Sequence, residues 1–105
     1  MSRQKTINKH EFRTNTRDAR RHPVYIFASI GFDLIFFTIT HSEFTRGRRN
    51  IKLTHNPNPK DKKAVYFHPV PIRQHKDTLS NRRKDFVLSP EDFKQMQEYM
   101  DIPKK

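Results

Sequence analysis

Cysteine and tryptophan are absent from this 105-residue chain, and only two glycines occur in it. Without cysteine there is no disulfide, no thiolate metal site and no thiol nucleophile, and dithiol redox chemistry is excluded. The absence also fits a reducing compartment, so a cytoplasmic location is expected. Long apolar runs are missing too. The longest, PVYIFASIGFDLIFFTI over residues 23–39, carries Asp33 near its middle and falls short of the roughly 20 apolar residues that a spanning helix needs. It is preceded by 22 mainly polar residues and followed by no small-residue cleavage site, so it does not read as a signal peptide either. No membrane association is expected. Acidic residues are scarce: 11 Asp and Glu stand against 22 Lys and Arg, for a formal charge of +11. An excess of that size repels itself in a compact fold unless a polyanion relieves it, and nucleic acid is the first partner to consider.

The positive charge is placed unevenly. Residues 1–22 hold seven basic and two acidic side chains, and residues 46–63 hold seven basic and one acidic. The apolar residues cluster instead in 24–39, 64–72 and 86–102. This pattern predicts a basic N-terminal arm over residues 1–22 and one small domain over 23–105 with nearly neutral apolar elements and basic loops.

Period-two alternation in VYIFASI and LIFFTITH predicts two strands joined at Gly31-Phe32-Asp33, a hairpin whose glycine can take positive φ. Leu34, Phe36, Thr38 and Thr40 fall on one face of the second strand and Ile35, Phe37, Ile39 and His41 on the other, which suits a central position. Residues 50–55 read as a half-buried strand, NPNPKDKK as a turn, and AVYFHPVPI as an edge strand because Pro69 and Pro71 cannot donate to a ladder. Residues 73–85 read as a second polar loop. LSPEDFKQMQEYM predicts a closing helix with Ser89 as N-cap, Pro90 at its first position, Glu91 and Asp92 against the dipole, and Phe93, Met96 and Met100 on the core face. The expected fold class is α+β, mainly β: a small twisted antiparallel sheet or partly closed SH3-like barrel of four to five strands with a C-terminal helix.

The candidate nucleic-acid contacts are Arg17, Arg20 and Arg21 in the arm, Arg46, Arg48, Arg49 and Lys52 around Gly47, Lys60, Lys62 and Lys63 in the Asn-Pro turn, and Arg82, Arg83 and Lys84 in the second loop. Guanidinium forks match phosphate oxygens, and the lysines add point charges. Tyr25, Phe27, Phe44 and Tyr66 are candidates for base stacking, the second half of a single-strand surface. The six His match no metal-ligand spacing, so no metal and no cofactor is expected. His with Arg or Lys can nonetheless supply the base, the acid and the phosphorane-stabilising cation of metal-free RNA cleavage, and His41 and His68 are the candidates.

RRHPVYIFASIGFDLIFFTITHS, residues 20–42, resembles the amino-terminal half of PemK/MazF-like toxins, in which an Arg-Pro loop enters a hydrophobic strand and a second hydrophobic strand ends in a Thr-Ser type motif. Arg21-His22-Pro23 would stand for the loop and Thr40-His41-Ser42 for the motif. The resemblance implies an SH3-like barrel, usually a homodimer, that cleaves single-stranded RNA with Arg21, Thr40 and Ser42 acting on the phosphate, and whose protein partner is an antitoxin. The function expected is thus nucleic-acid binding, RNA before DNA, with metal-independent endoribonuclease activity as its enzymatic form. The competing classes are a small phage or mobile-element inhibitor that engages a nucleic-acid-processing complex through its basic face, and a ribosome-associated accessory protein.

Overall fold

The computed structural model describes residues 10–80, 83 and 85–100. The central feature is the expected hairpin. β2 (Pro23–Ile30) and β3 (Asp33–Thr40) pair antiparallel from Val24↔Thr38 to Ile30↔Asp33. Gly31 holds φ 61 at the first position of the two-residue turn, a conformation that glycine adopts without a Cβ penalty. The strict alternation read along β2 breaks at Phe27: the register slips between Ile26 and Ala28, so Ile26 faces Phe36 while Ala28 faces Ile35. A bulge adds one residue and moves everything beyond it to the opposite face.

Both faces of β3 are covered. Val24, Ile26, Leu34, Phe36 and Leu79 form one buried cluster, with Ile72 against it. Phe12, Tyr25, Phe37, Ile39, Leu53, Val65, Phe67 and Met96 form the other. α1 (Pro90–Met100) closes the second cluster, with Met96 fully buried and the Phe93 ring stacked on Phe27 at 5.2 Å. Its start follows the sequence signal: the Asp92 amide donates to Ser89 Oγ at 3.2 Å and the Phe93 amide to the Ser89 carbonyl at 3.0 Å. Asp92 does more than face the dipole. It is fully buried and accepts from the Thr54 amide at 2.8 Å, the His55 amide at 3.3 Å and Ser89 Oγ at 2.9 Å, tying the helix to the turn after Leu53.

The sheet runs β1 (Phe12–Thr14), β2, β3, β7 (Tyr66–Phe67), β6 (Ile51–Lys52), with β8 (Ile72–His75) also on β3, and it is open. Among the described residues its strands number six, more than the four to five expected, because the proline-rich run divides and residues 12–14 join the sheet. β7 (Tyr66–Phe67) pairs Ile39 and Thr40, and β8 (Ile72–His75) pairs Asp33 to Phe36 on the same side of β3. Pro69 and Pro71 lie in the link between them, where no ladder bond is needed, so the run is not one edge strand. β6 (Ile51–Lys52) then flanks β7. The stretch from residue 73 is not wholly a loop either, since β8 leads into a 3-10 turn, Lys76–Thr78, and Leu79 is buried.

The arm expected over 1–22 is corrected for its described part. β1 (Phe12–Thr14) pairs β2 in register Phe12↔Tyr25, and residues 11–15 are buried. The lone apolar Phe12 suffices because the cation beside it is neutralised internally: Arg13 Nε donates to Glu11 Oε2 at 2.7 Å. Backbone donation from Ser80 to the Thr14 carbonyl and from Arg83 to the Phe12 carbonyl covers the outer side of β1. Residues 1–9 lie outside the described residues. Among the described residues no helix is long and apolar enough to cross a membrane.

Candidate nucleic-acid trench and its histidine cleft

The face of β3 that begins as Leu34 and Phe36 continues as Thr38 and Thr40. Where the apolar side chains give way to threonines, the sheet stops being a core wall and becomes the floor of a cleft. Its volume is about 490 Å³, and its walls come from three places: Asn15, Arg17, Asp18 and His22 before β2, Thr45 and Arg46 beyond β3, and His68, Ile72 and Gln74 beside it.

Each wall is built by local chemistry. Residues 15–22 fold back on themselves through side-chain turns: Asn15 Oδ1 accepts from the Arg17 amide at 3.0 Å, and Asp18 accepts from the Arg20 and His22 amides at 3.0 and 3.2 Å. Such turns are the ordinary use of Asn and Asp in irregular segments. The loop closes with the Asn15 amide donating to the His22 carbonyl at 3.1 Å. The far wall comes from residues 44–49. It is a separate hairpin, β4 (Phe44–Thr45) with β5 (Arg48–Arg49), whose central residues Arg46 and Gly47 have φ 53 and 77. Positive φ at both positions is the requirement of a type I′ turn, and it directs the loop arginine to the cleft.

Two imidazoles face this cleft, and both are oriented. Asn50, buried under the hairpin, donates from Nδ2 to the Ser42 carbonyl at 2.9 Å and to Thr45 Oγ1 at 2.7 Å. A carbonyl can only accept, so the amide cannot be flipped, and Asn50 Oδ1 must be the atom 2.9 Å from His68 Nδ1. His68 therefore carries its proton on Nδ1 and presents an unprotonated Nε2. Burial pushes its pKa below the ordinary value, and Arg46 and Arg48 push it the same way. His22 instead pairs through Nδ1 with Asp18 Oδ2. Burial raises the Asp18 pKa, but donation from the Arg20 amide and from the His22 ring and amide outweighs it, so the carboxylate titrates below its ordinary value. No other described residue hydrogen-bonds Nε2 of either ring.

Two further depressions continue from the cleft. The second, about 190 Å³, shares His22 and Thr40 with the first and adds His41, Asp61, Arg83 and Phe86. The third, about 520 Å³, shares Asn56, Asn58, Asp61 and Val65 with the second and adds Lys52, His55, Lys62 and Lys63. This series of three, linked by shared lining residues past the end of β3, is the candidate trench. In its middle His41 Nε2 lies 2.7 Å from Asp61 Oδ2, and that bond, with help from Asn56 and the Lys63 amide, lowers the Asp61 pKa to about 2.

The expected residues are thus distributed along a path. Arg17, Arg46, Thr40 and His68 meet in the first depression, His41 and Arg83 line the second, and Lys52, Lys62 and Lys63 line the third. Arg48 lies close enough to act on His68, and Arg49 sits over the Phe44 ring at 4.9 Å. Arg20, Arg21, Ser42 and Lys60 are exposed but line none of the three depressions. Arg83 is partly committed to structure, with Nε donating to Thr14 Oγ1 at 3.0 Å and its guanidinium over Phe86. Arg82 and Lys84 lie outside the described residues. Of the stacking candidates, Tyr25 is buried and Phe27 packs on Phe93, so both belong to the core; Tyr66 is half-buried, and Phe44 is half-exposed beside Arg49. Burial, with Glu43 nearby, raises the Tyr66 pKa. Reasoning from the sequence missed Asp18 and His22 as cleft residues and Asn50 as the buried partner of His68, although Asp18 carries the turn chemistry that fixes His22.

Among the described residues no three His, Asp or Glu side chains gather as metal ligands. Compared with known proteins, the chain matches no family model and no curated protein.

Proposed function

We propose that this protein binds single-stranded nucleic acid, RNA in preference to DNA, along the trench. The observation that carries the reading is the series of three depressions linked by shared lining residues, with Arg17 and Arg46 at one end and Lys52, Lys62 and Lys63 at the other. A strand laid in such a groove meets cations at intervals along its backbone, and the exposed Phe44 ring offers a stacking surface near the arginine end. The preference for RNA rests on the resemblance of residues 20–42 to PemK/MazF-like toxins. A second reading, metal-independent endoribonuclease activity, is favoured by one particular: two imidazoles with fixed proton positions share a cleft with Arg46.

Both readings are tested with a labelled single-stranded RNA and its DNA counterpart in EDTA. Binding along phosphates predicts affinity that falls linearly with salt on logarithmic axes, and cleavage predicts fragments. Salt-insensitive affinity, or capture of one defined protein with no nucleic acid bound, would replace the proposal with the inhibitor reading.

A further inference from the structure

From the cleft geometry we infer that His68 is the general base and His22 the general acid of RNA cleavage at the arginine end of the trench, oriented by Asn50 and Asp18 respectively. The inference rests on the nucleic-acid reading above and assigns the chemistry of that same site.

Transesterification of RNA needs a proton taken from a 2′-hydroxyl, attack of that oxygen on the adjacent phosphorus, and a proton given to the departing 5′-oxygen. The P–O5′ bond breaks as the O2′–P bond forms, leaving a 2′,3′-cyclic phosphate and a 5′-hydroxyl; no oxidant, reductant or metal enters the balance. The two rings are prepared unequally for these tasks. His68 Nδ1 is fixed as a donor by an amide oxygen that cannot take on charge, so Nε2 holds the lone pair, and Arg46 and Arg48 disfavour a second proton on the ring. His22 Nδ1 is held by the Asp18 carboxylate, so a second proton on this ring sits on Nε2, the atom turned to the cleft and to a leaving oxygen there. A ring held by a neutral amide oxygen beside arginines and a ring held by a carboxylate are the unlike settings that an acid and base pair uses. Arg46, held in the cleft by the I′ turn, is placed to meet charge on the phosphorane.

The assignment differs from the one implied by the resemblance. Arg21 and Ser42 line no part of the trench, and His41 is engaged by Asp61 in the second depression.

The groups around His68 are Arg46 and Arg48 from the hairpin and Arg17, Asp18 and His22 from the loop. Those around His22 also include His41, Asp61 and Arg83.

The experiment measures kcat, RNA affinity and the pH–rate profile for wild type, His68→Gln, His22→Gln and Asp18→Asn, with Lys94→Gln as a control outside the trench and circular dichroism to confirm folding. Each histidine variant is expected to lose at least about a hundredfold in kcat while retaining RNA affinity. His68→Gln should remove the acidic limb of the profile and His22→Gln the alkaline limb. Asp18→Asn should lower kcat while retaining RNA affinity, through the loss of the carboxylate that orients His22. A 2′-deoxy substitution at the scissile nucleotide should abolish cleavage. Cleavage undiminished in both histidine variants, or both limbs surviving in both, overturns the assignment while leaving an RNA-cleaving protein. Tight RNA binding by wild type without fragments overturns it while leaving the binding reading. Absence of RNA binding overturns both.

Discussion

At the histidine end of the trench the polar side chains are held by named partners: His68 by Asn50, Asn50 by Ser42 and Thr45, and His22 by Asp18. At the lysine end Lys52, Lys62 and Lys63 are exposed and make no ion pair with a described residue, although the backbone beneath them is fixed by Asn56, Asn58 and Asp61 turns. One end fixes the direction of single protons. The other supplies charge whose exact placement matters little, since a long ammonium side chain can follow a phosphate. The difference assigns chemistry to the first end and grip to the second, and substitutions at each should separate the two.

The largest effect on stability is expected at the lysine end. Asp92→Ala removes the buried carboxylate to which the Thr54 and His55 amides and Ser89 Oγ donate and should destabilise the fold by about 2–4 kcal/mol, read by urea denaturation. At the histidine end, Asn50→Ala removes the acceptor that fixes the His68 tautomer and unpairs the Ser42 carbonyl. A loss of about 1–3 kcal/mol is expected, with kcat falling more than RNA affinity does. Replacing Lys52, Lys62 and Lys63 together by Gln should leave stability within about 0.5 kcal/mol and reduce the salt slope of RNA binding by about 2, with kcat at saturating RNA retained.

The smallest effect is the pH dependence of folding through His68. Its pKa is lowered in the folded state, so the unfolded chain binds more protons between the folded value and 6.5. Stability from this group is complete above 6.5 and is lost as pH falls through that window. His68→Gln should flatten the dependence there. Asp61 and Asp18, lowered from 3.8, act below that window: their contributions are present above 3.8 and fade as pH drops toward their folded values.

The parts legible in the sequence are those whose signals are local. Alternation and Gly31 define the β2–β3 hairpin, and Ser89-Pro90 starts the helix that buries Met96. Arg46 and His68 were likewise identifiable as candidates by residue type, and Thr40 through the resemblance of residues 20–42. The rest depends on long-range pairing. β1 has three residues and one large apolar side chain, too short a run for periodicity to register, and its burial rests on Arg13 finding Glu11. The bulge at Phe27 leaves no composition signal, because every residue around it suits a strand. Asn50 and His68 are 18 positions apart and meet only because β6 and β7 pair. Asp18 and His22 have helical spacing but meet in a loop, where turn bonds to one carboxylate bring them together.

The most direct test of the trench is equilibrium binding of a labelled single-stranded RNA across a salt series, comparing wild type, an Arg17/Arg46/Lys62/Lys63→Gln variant and a charge-matched Arg20/Arg21/Lys60/Lys94→Gln control, whose residues are exposed and line none of the three depressions. The trench variant should bind at least tenfold more weakly, with a salt slope shallower by about 3, and the control should match wild type. Equal losses in the trench variant and the control would contradict the account, because attraction would then follow net charge and not the path of the groove.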